Sequence, residues 1–265
     1  MLSLLQKARG IKKMIASIKK SKRFVVMLLC FVLVIGIGIG GKGVYAASKD
    51  AKKEIVKENV GPCDIKIDLK NTNVVIIPTK ENKITYSYDS NLWKIEEKSD
   101  KNLQTIRVDK ITKQKLNMEE CNVNKIFIYI PNFDKKKLQI ESEHSGLVIL
   151  PTLSDLSINS TKSAVNVLVN KGFTNNIDLK MAGGSGALNF QEGATHYILD
   201  VQLDKSVMSV TEELPSFNQT SKYKIKKGFG KNDIHIKMSD SAYAINMYSG
   251  EAIKQLENNM TIVTQ

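Results

Sequence analysis

Side chains able to catalyse or to hold a metal are few in this 265-residue chain, and they are scattered. Its three histidines are His144, His196 and His235. Glu141, Glu143 and His144 come nearest to a ligand set, because alternation puts both carboxylates on one face of a strand with the imidazole beside them. A metal site wants a third or fourth ligand, and polar residues at a strand end explain the trio more simply. No H-E-x-x-H, G-K-S/T or calcium-loop pattern occurs. Gly183-Gly-Ser185-Gly186 lacks the second flanking residue of a G-x-S-x-G elbow and the lysine of a phosphate loop, so it reads as a turn. No catalytic, cofactor-binding or metal-ligating residue is assigned, and the chain is not expected to be an enzyme.

Two cysteines, Cys63 and Cys121, fall in the part of the chain expected outside the cytoplasm, where a disulfide can persist. A Cys63–Cys121 bond would close a loop of 59 residues. On chain-entropy grounds it would stabilise the fold by roughly 4 kcal/mol. That role is structural, and the alternative is two separate thiols. Cys30 is no lipidation site, since Leu29 stands where a small residue is needed.

The elements that would position any site begin with residues 24–41, FVVMLLCFVLVIGIGIGG, eighteen residues without a charge. As a helix they span roughly 27 Å at ~1.5 Å per residue, close to the ~30 Å hydrocarbon core. Residues 9–23 carry seven basic residues and no acid, whereas residues 42–56 carry four, diluted by Asp50 and Glu54. The more basic side stays in the cytoplasm, so the C-terminal bulk is expected outside. Within the tail, Leu4, Ala8, Ile11, Met14, Ile15 and Ile18 recur at helical spacing, as in a helix lying on an anionic inner leaflet. An overlong signal n-region is the other reading. Val44-Tyr-Ala-Ala47 offers a signal-cleavage site, but the apolar run exceeds a usual signal core, which favours an uncleaved anchor over secretion after cleavage near Ala46-Ala47. Gly36-Ile-Gly38-Ile-Gly40-Gly41 matches a dinucleotide fingerprint only in letters, because it lies inside this apolar run rather than between a strand and a helix.

The net charge of +12 is concentrated here. The first 47 residues hold nine basic residues and no acid, leaving 30 basic against 27 acidic beyond them. The excess suits a membrane surface, and nucleic acid is not an expected partner.

From residue 64 the pattern turns to period two, with strands expected at 64–69, 73–78, 83–88, 92–96, 105–109 and 125–131. Residues 110–124 read as a loop or insertion, and a short helix is expected only at 251–257. The second half repeats. Leu138-x-Ile140, Leu156-x-Ile158, Leu199-x-Val201 and Ile234-x-Ile236 are each followed, five residues after the second apolar position, by Ser145-Gly146, Ser163-Ala164, Ser206-Val207 and Ser241-Ala242. Ile177-x-Leu179 reaches Ser185-Gly186 with one extra residue. Apolar residues return two and four places beyond most of these serines, so the unit is strand, small turn, strand. Units of about 20 residues that cannot bury their own apolar row stack on their neighbours. The expected fold is all-β, a β-solenoid or β-helix-like repeat domain preceded by one transmembrane helix; an antiparallel meander or sandwich is the alternative. The expected boundaries are 1–23 basic cytoplasmic tail, 24–47 transmembrane anchor or signal segment, 48–62 spacer, 63–250 extracytoplasmic β-repeat domain and 251–265 C-terminal tail.

Three stretches carry a family likeness: residues 66–78, the Ile128-Tyr-Ile-Pro131 strand running into Leu138–Gly146, and residues 228–236. They resemble the DUF4097 family of adhesin-like β-repeat domains of bacterial envelopes, whose hallmark is a recurring strand, Ser-Gly, strand unit after an I-x-I-P strand. The chain departs from it where Ser-Gly becomes Ser-Ala or Ser-Val in three units. The resemblance covers roughly residues 64–249 and implies a β-helix-like fold at the cell surface. It supplies no catalytic residues.

These observations lead to a non-enzymatic, single-pass membrane protein with a cytoplasmic N-terminus. Its outer repeat domain is expected to bind an envelope polymer or protein, with no cofactor. The alternative, which the family resemblance implies, is an accessory regulator of an envelope-stress signalling system acting through the membrane segment. A carbohydrate-active β-helix enzyme would need ionisable side chains stacked from several units in one groove, and the aligned repeats show no such column.

Overall fold

The computed structural model describes residues 58–111, 125–194, 197–210, 220–226 and 232–248. The apolar segment at 24–47, the basic tail, the loop at 112–124 and the expected helix at 251–257 lie outside them. Among the described residues there is no helix long and apolar enough to cross a membrane.

The alternating stretches all form strands. In chain order they are β1 (Glu58–Asn59), β2 (Asp64–Lys70), β3 (Asn73–Thr79), β4 (Lys83–Ser87), β5 (Trp93–Asp100), β6 (Leu103–Lys110) and β7 (Ile126–Pro131). Then come β8 (Lys137–Glu143), β9 (Gly146–Ile149), β10 (Asp155–Thr161), β11 (Ala164–Val169), β12 (Ile177–Ala182) and β13 (Ser185–Gln191). The last five are β14 (Tyr197–Asp204), β15 (Val207–Val210), β16 (Thr220–Lys226), β17 (Asn232–Ser239) and β18 (Ala242–Tyr248). The short β1 falls inside the expected spacer.

Two nine-stranded sheets result. Sheet 1 runs β16-β14-β17-β12-β10-β8-β2-β6-β5 and sheet 2 runs β1-β4-β7-β3-β9-β11-β13-β18-β15. Each repeat unit gives its first strand to sheet 1 and its second to sheet 2, and like strands pair in parallel. Leu138, Leu156, Ile177, Ile234 and Leu199 stand in one register, as the sequence alignment expects. Ile65 joins the same row. The neighbouring column Ile67–Ile140–Ile158–Leu179–Ile236–Val201 is fully buried, and with Ile76, Ile149, Val167, Leu188 and Ile245 of sheet 2 it forms one hydrophobic cluster between the sheets. Each such aliphatic side chain contributes about 1.5–3 kcal/mol by leaving water. A lone unit has nothing to bury it against.

Stacking in chain order holds only for β8/β9, β10/β11 and β12/β13. The β6 and β7 strands lie outside β2 and β3, so the chain crosses back over its first unit to reach β8. At the other end the last unit, β17/β18, is inserted between β12/β13 and β14/β15. Both sheets are open. Antiparallel β5 and β16 border sheet 1, antiparallel β1 and β4 border one side of sheet 2, and the four-residue β15 forms its other edge.

Candidate functional site

The corner between the two sheets takes two residues. The first is left-handed: φ is 52° at Asn71, 51° at His144, 50° at Lys162, 69° at Gly183, 46° at Lys205 and 48° at Asp240. Such a φ disfavours most side chains. Five of these residues offset that by donating their N–H across to the next unit, as in His144 N to Thr161 O (3.0 Å) and Lys162 N to Ala182 O (2.7 Å). The second residue turns inward and is small.

Those inward residues form a hydrogen-bonded ladder. Each serine hydroxyl donates to the carbonyl two residues back: Ser145 to Glu143 O (2.8 Å), Ser163 to Thr161 O (2.9 Å), Ser206 to Asp204 O (2.7 Å) and Ser241 to Ser239 O (2.7 Å). The same oxygens accept a backbone N–H from the adjacent corner. Thr72 N donates to Ser145, Ser145 N to Ser163, Gly184 N to Ser241 and Ser241 N to Ser206, at 3.1–3.2 Å. The recurring serines are therefore structural, and their hydroxyls are buried and engaged.

Here the expected phase of one unit is corrected. Ser185 does not turn the corner; it opens β13 opposite Ala164 and Ala242. Gly184 occupies the corner, five residues after Leu179, with no extra residue. A Cβ on Gly184 would lie 2.3 Å from the Ser163 carbonyl oxygen, which excludes serine there. The unit Ile65-x-Ile67 with Thr72 five residues on belongs to the repeat as well. Allowing threonine at the corner would have revealed it in the sequence.

Of the three candidate ligands, His144 and Glu143 are brought together, while Glu141 is engaged elsewhere. His144 Nδ1 lies 3.4 Å from Glu143 Oε1, and Lys70 Nζ lies 3.0 Å from Glu143 Oε2. That ammonium holds the Glu143 carboxyl below the ordinary glutamate range. Glu141 Oε1 accepts from Asn159 Nδ2 (2.8 Å) and Gln139 Nε2 (3.2 Å). His144 owes its place to the left-handed corner. Among the described residues no three His, Cys, Asp or Glu side chains are placed to hold a metal. His235 faces outward on β17, in register with Asp178 and Asp200, while His196 lies outside the described residues. Cys63 is half-buried against the core edge, and burial pushes its thiol pKa up. Its candidate partner Cys121 lies outside the described residues.

What remains are two outward faces of opposite chemistry. On sheet 1 the register stacks Arg107, Asp68, Glu141, Asn159, Lys180, Lys237 and Gln202 into one column across seven strands. Glu141, Asn159, Lys180, Lys237 and Gln202 each follow the second apolar residue of an aligned unit, so the expectation that the repeats stack no ionisable column is corrected; pairing of β2 with β6 and β8 adds Asp68 and Arg107. Lys180 and Lys237 are exposed neighbours in it. On sheet 2, from β3 to β15, no outward position bears a charge; the central column reads Val75–Val148–Asn166–Ala187–Ala244–Ser209.

No family model and no curated protein sequence matches the chain. Two solved structures do. One is described as a "putative cell adhesion protein" from Clostridium sporogenes, 15% identical, covering 76% of this chain and 100% of its own, with a TM-score of 0.54. The other is described as a "putative adhesin" from Bacteroides fragilis, 12% identical, covering 76% of this chain and 99% of its own, with a TM-score of 0.33. The first likeness shows a shared fold.

Proposed function

We propose that the chain is a non-enzymatic, membrane-anchored envelope protein that presents its β-repeat domain outside the cell, with sheet 1 as the face that binds a surface polymer or a surface protein. The outward face of sheet 1 carries the reading. Its polar side chains recur ~4.8 Å apart from strand to strand and ~6.8 Å apart along each strand, a flat lattice suited to a repeating ligand. The stacked units are solenoid-like in their middle, from β8 to β13, where each unit lies on its predecessor. The name given to the Clostridium structure is consistent with this reading.

The test is binding of the detergent-solubilised full chain to isolated envelope polymers and to surface-protein extracts, repeated with Lys180→Glu and Lys237→Glu together. Retention that the double substitution abolishes, while Asn166→Asp on sheet 2 leaves it intact, supports sheet 1 as the binding face. Retention unaffected by the pair removes sheet 1 from the mechanism, and no retention on any fraction removes the adhesin-like function.

A further inference from the structure

The outward face of sheet 2 sets small apolar residues among amides and serines, Asn166, Asn189, Asn246 and Ser209 among them. From β3 to β15 it carries no charge, and its middle is paved with small side chains, Ala164, Ala187, Ala242 and Ala244 among them. No described strand or loop lies over it. Yet Ala187 is only 2% exposed and Ala244 only 1%. In the same row Asn166 is half-buried, as Asn159 is on sheet 1, where Lys180 is exposed, so the covering of sheet 2 is deepest over β13 and β18.

The chain supplies a cover of matching size and position. The β18 strand ends at Tyr248, and 17 residues follow it. Because β18 is the penultimate strand of sheet 2, this segment leaves from within the sheet, next to β13. Ala252, Ile253, Leu256, Met260 and Val263 recur at helical spacing, with Glu251, Lys254, Gln255 and Glu257 between them. Ser249-Gly250 stands where the chain would reverse. A helix over residues 251–263 would be roughly 20 Å long at ~1.5 Å per residue, enough to cross four strands spaced ~4.8 Å apart. Its apolar stripe would meet an uncharged surface whose alanines allow close approach, and its charged residues would face water.

We propose that residues 251–263 dock as an amphipathic segment across the outward face of sheet 2 over β18, β13 and β11, sealing that face and leaving sheet 1 as the open face of the domain. The docking stands whether or not sheet 1 binds a polymer.

The test uses the full-length chain carrying Asn159→Cys and Asn166→Cys, which place one thiol on each outer face of the same unit. Maleimide labelling is followed peptide by peptide, so the native cysteines stay in place. The thiol at 166 is expected to react about tenfold or more slowly than that at 159, and to catch up when Ile253→Asp and Leu256→Asp are added. Cooperative melting of the double-aspartate chain shows that it is folded, and truncation after Tyr248 gives a second route to the same exposure. Equal rates at both positions in the parent chain overturn the docking. So does a thiol at 166 that stays slow in both the double-aspartate and the truncated chain. In that case slow labelling that disappears on dilution identifies a second copy as the cover.

Discussion

Replacing Ser163 by alanine tests whether the corner ladder holds the two sheets in register. The Ser163 hydroxyl accepts from Ser145 N (3.1 Å) and Ser142 Oγ (3.1 Å) and donates to Thr161 O (2.9 Å). All of this lies in a buried corner. Alanine removes one donor and one acceptor at once and strands the Ser145 N–H. An unsatisfied buried donor costs about 1–3 kcal/mol, and each net hydrogen bond lost costs about 0.5–1.5 kcal/mol more, so the expected loss is about 3 kcal/mol. For a domain of this size, with roughly 2–4 °C lost per kcal/mol, the melting temperature should fall by about 6–12 °C. Thermal and urea unfolding of the full chain followed by circular dichroism read this directly, with the urea slope unchanged if the denatured state is unchanged. Ser157→Ala, outward on β10, should stay within about 0.5 kcal/mol of the parent. Ser163→Thr should recover much of the loss, because Thr72 already serves one corner. A Ser163→Ala chain that melts with the Ser157→Ala control would refute the ladder as a source of stability.

Gly184→Ser, which restores the repeat's own letter, should destabilise by roughly 1–3 kcal/mol, because its Cβ meets the Ser163 carbonyl at 2.3 Å; a stabilised variant in urea unfolding would mean that the corner tolerates the shift. Tyr243→Phe should be neutral or stabilising by up to about 1 kcal/mol in the same assay. The Tyr243 hydroxyl is fully buried with no hydrogen-bond partner among the described residues, and burial drives its pKa far up. A Cβ at Gly186 would run into the Val165 carbonyl first and come within 2.9 Å of the Tyr243 ring, so Gly186→Ala should lower the melting temperature. Lys70→Met should raise the Glu143 pKa toward the ordinary range, read by NMR titration of its carboxyl. With the pKa depressed in the folded state, the pair's contribution is present above the unfolded value and is lost as pH falls through the folded one. The Lys70→Met chain should therefore show less acid dependence of stability.

The strands and the apolar columns are legible because each is a local pattern. Side chains that alternate over five to eight residues have one way to bury an apolar row, and a serine at a fixed distance marks a corner because its hydroxyl bonds back to the carbonyl two residues before it. The corner at Gly184 escapes that logic. Ser185 follows a glycine pair and mimics the motif one residue late, and only the close approach of the Ser163 carbonyl decides between them. Which residues are neighbours within an outward column is illegible for a different reason. Asp68 stands beside Glu141, and Lys180 beside Lys237, only once the pairing of strands distant in sequence is known.

The order of the units is the deepest omission, and it has the largest consequence. Leu199-x-Val201 and Ile234-x-Ile236 are equivalent sequences, so either unit could lie against β12, and periodicity cannot choose. The fold places the later one inside. Antiparallel pairing of β16 with β14 explains how: it occupies the outer edge of β14 before the chain returns, leaving the inner edge for β17. Insertion then fixes where the chain leaves the domain. Had β17/β18 followed β14/β15 outward, residues 249–265 would depart from the rim of sheet 2 and face solvent. Because β18 lies between β13 and β15, its last residue, Tyr248, stands opposite Gln191 within the sheet rather than at its rim. A non-consecutive step in the stack thus decides from which strand of sheet 2 the C-terminal residues continue, which is the premise of the docking proposed for them.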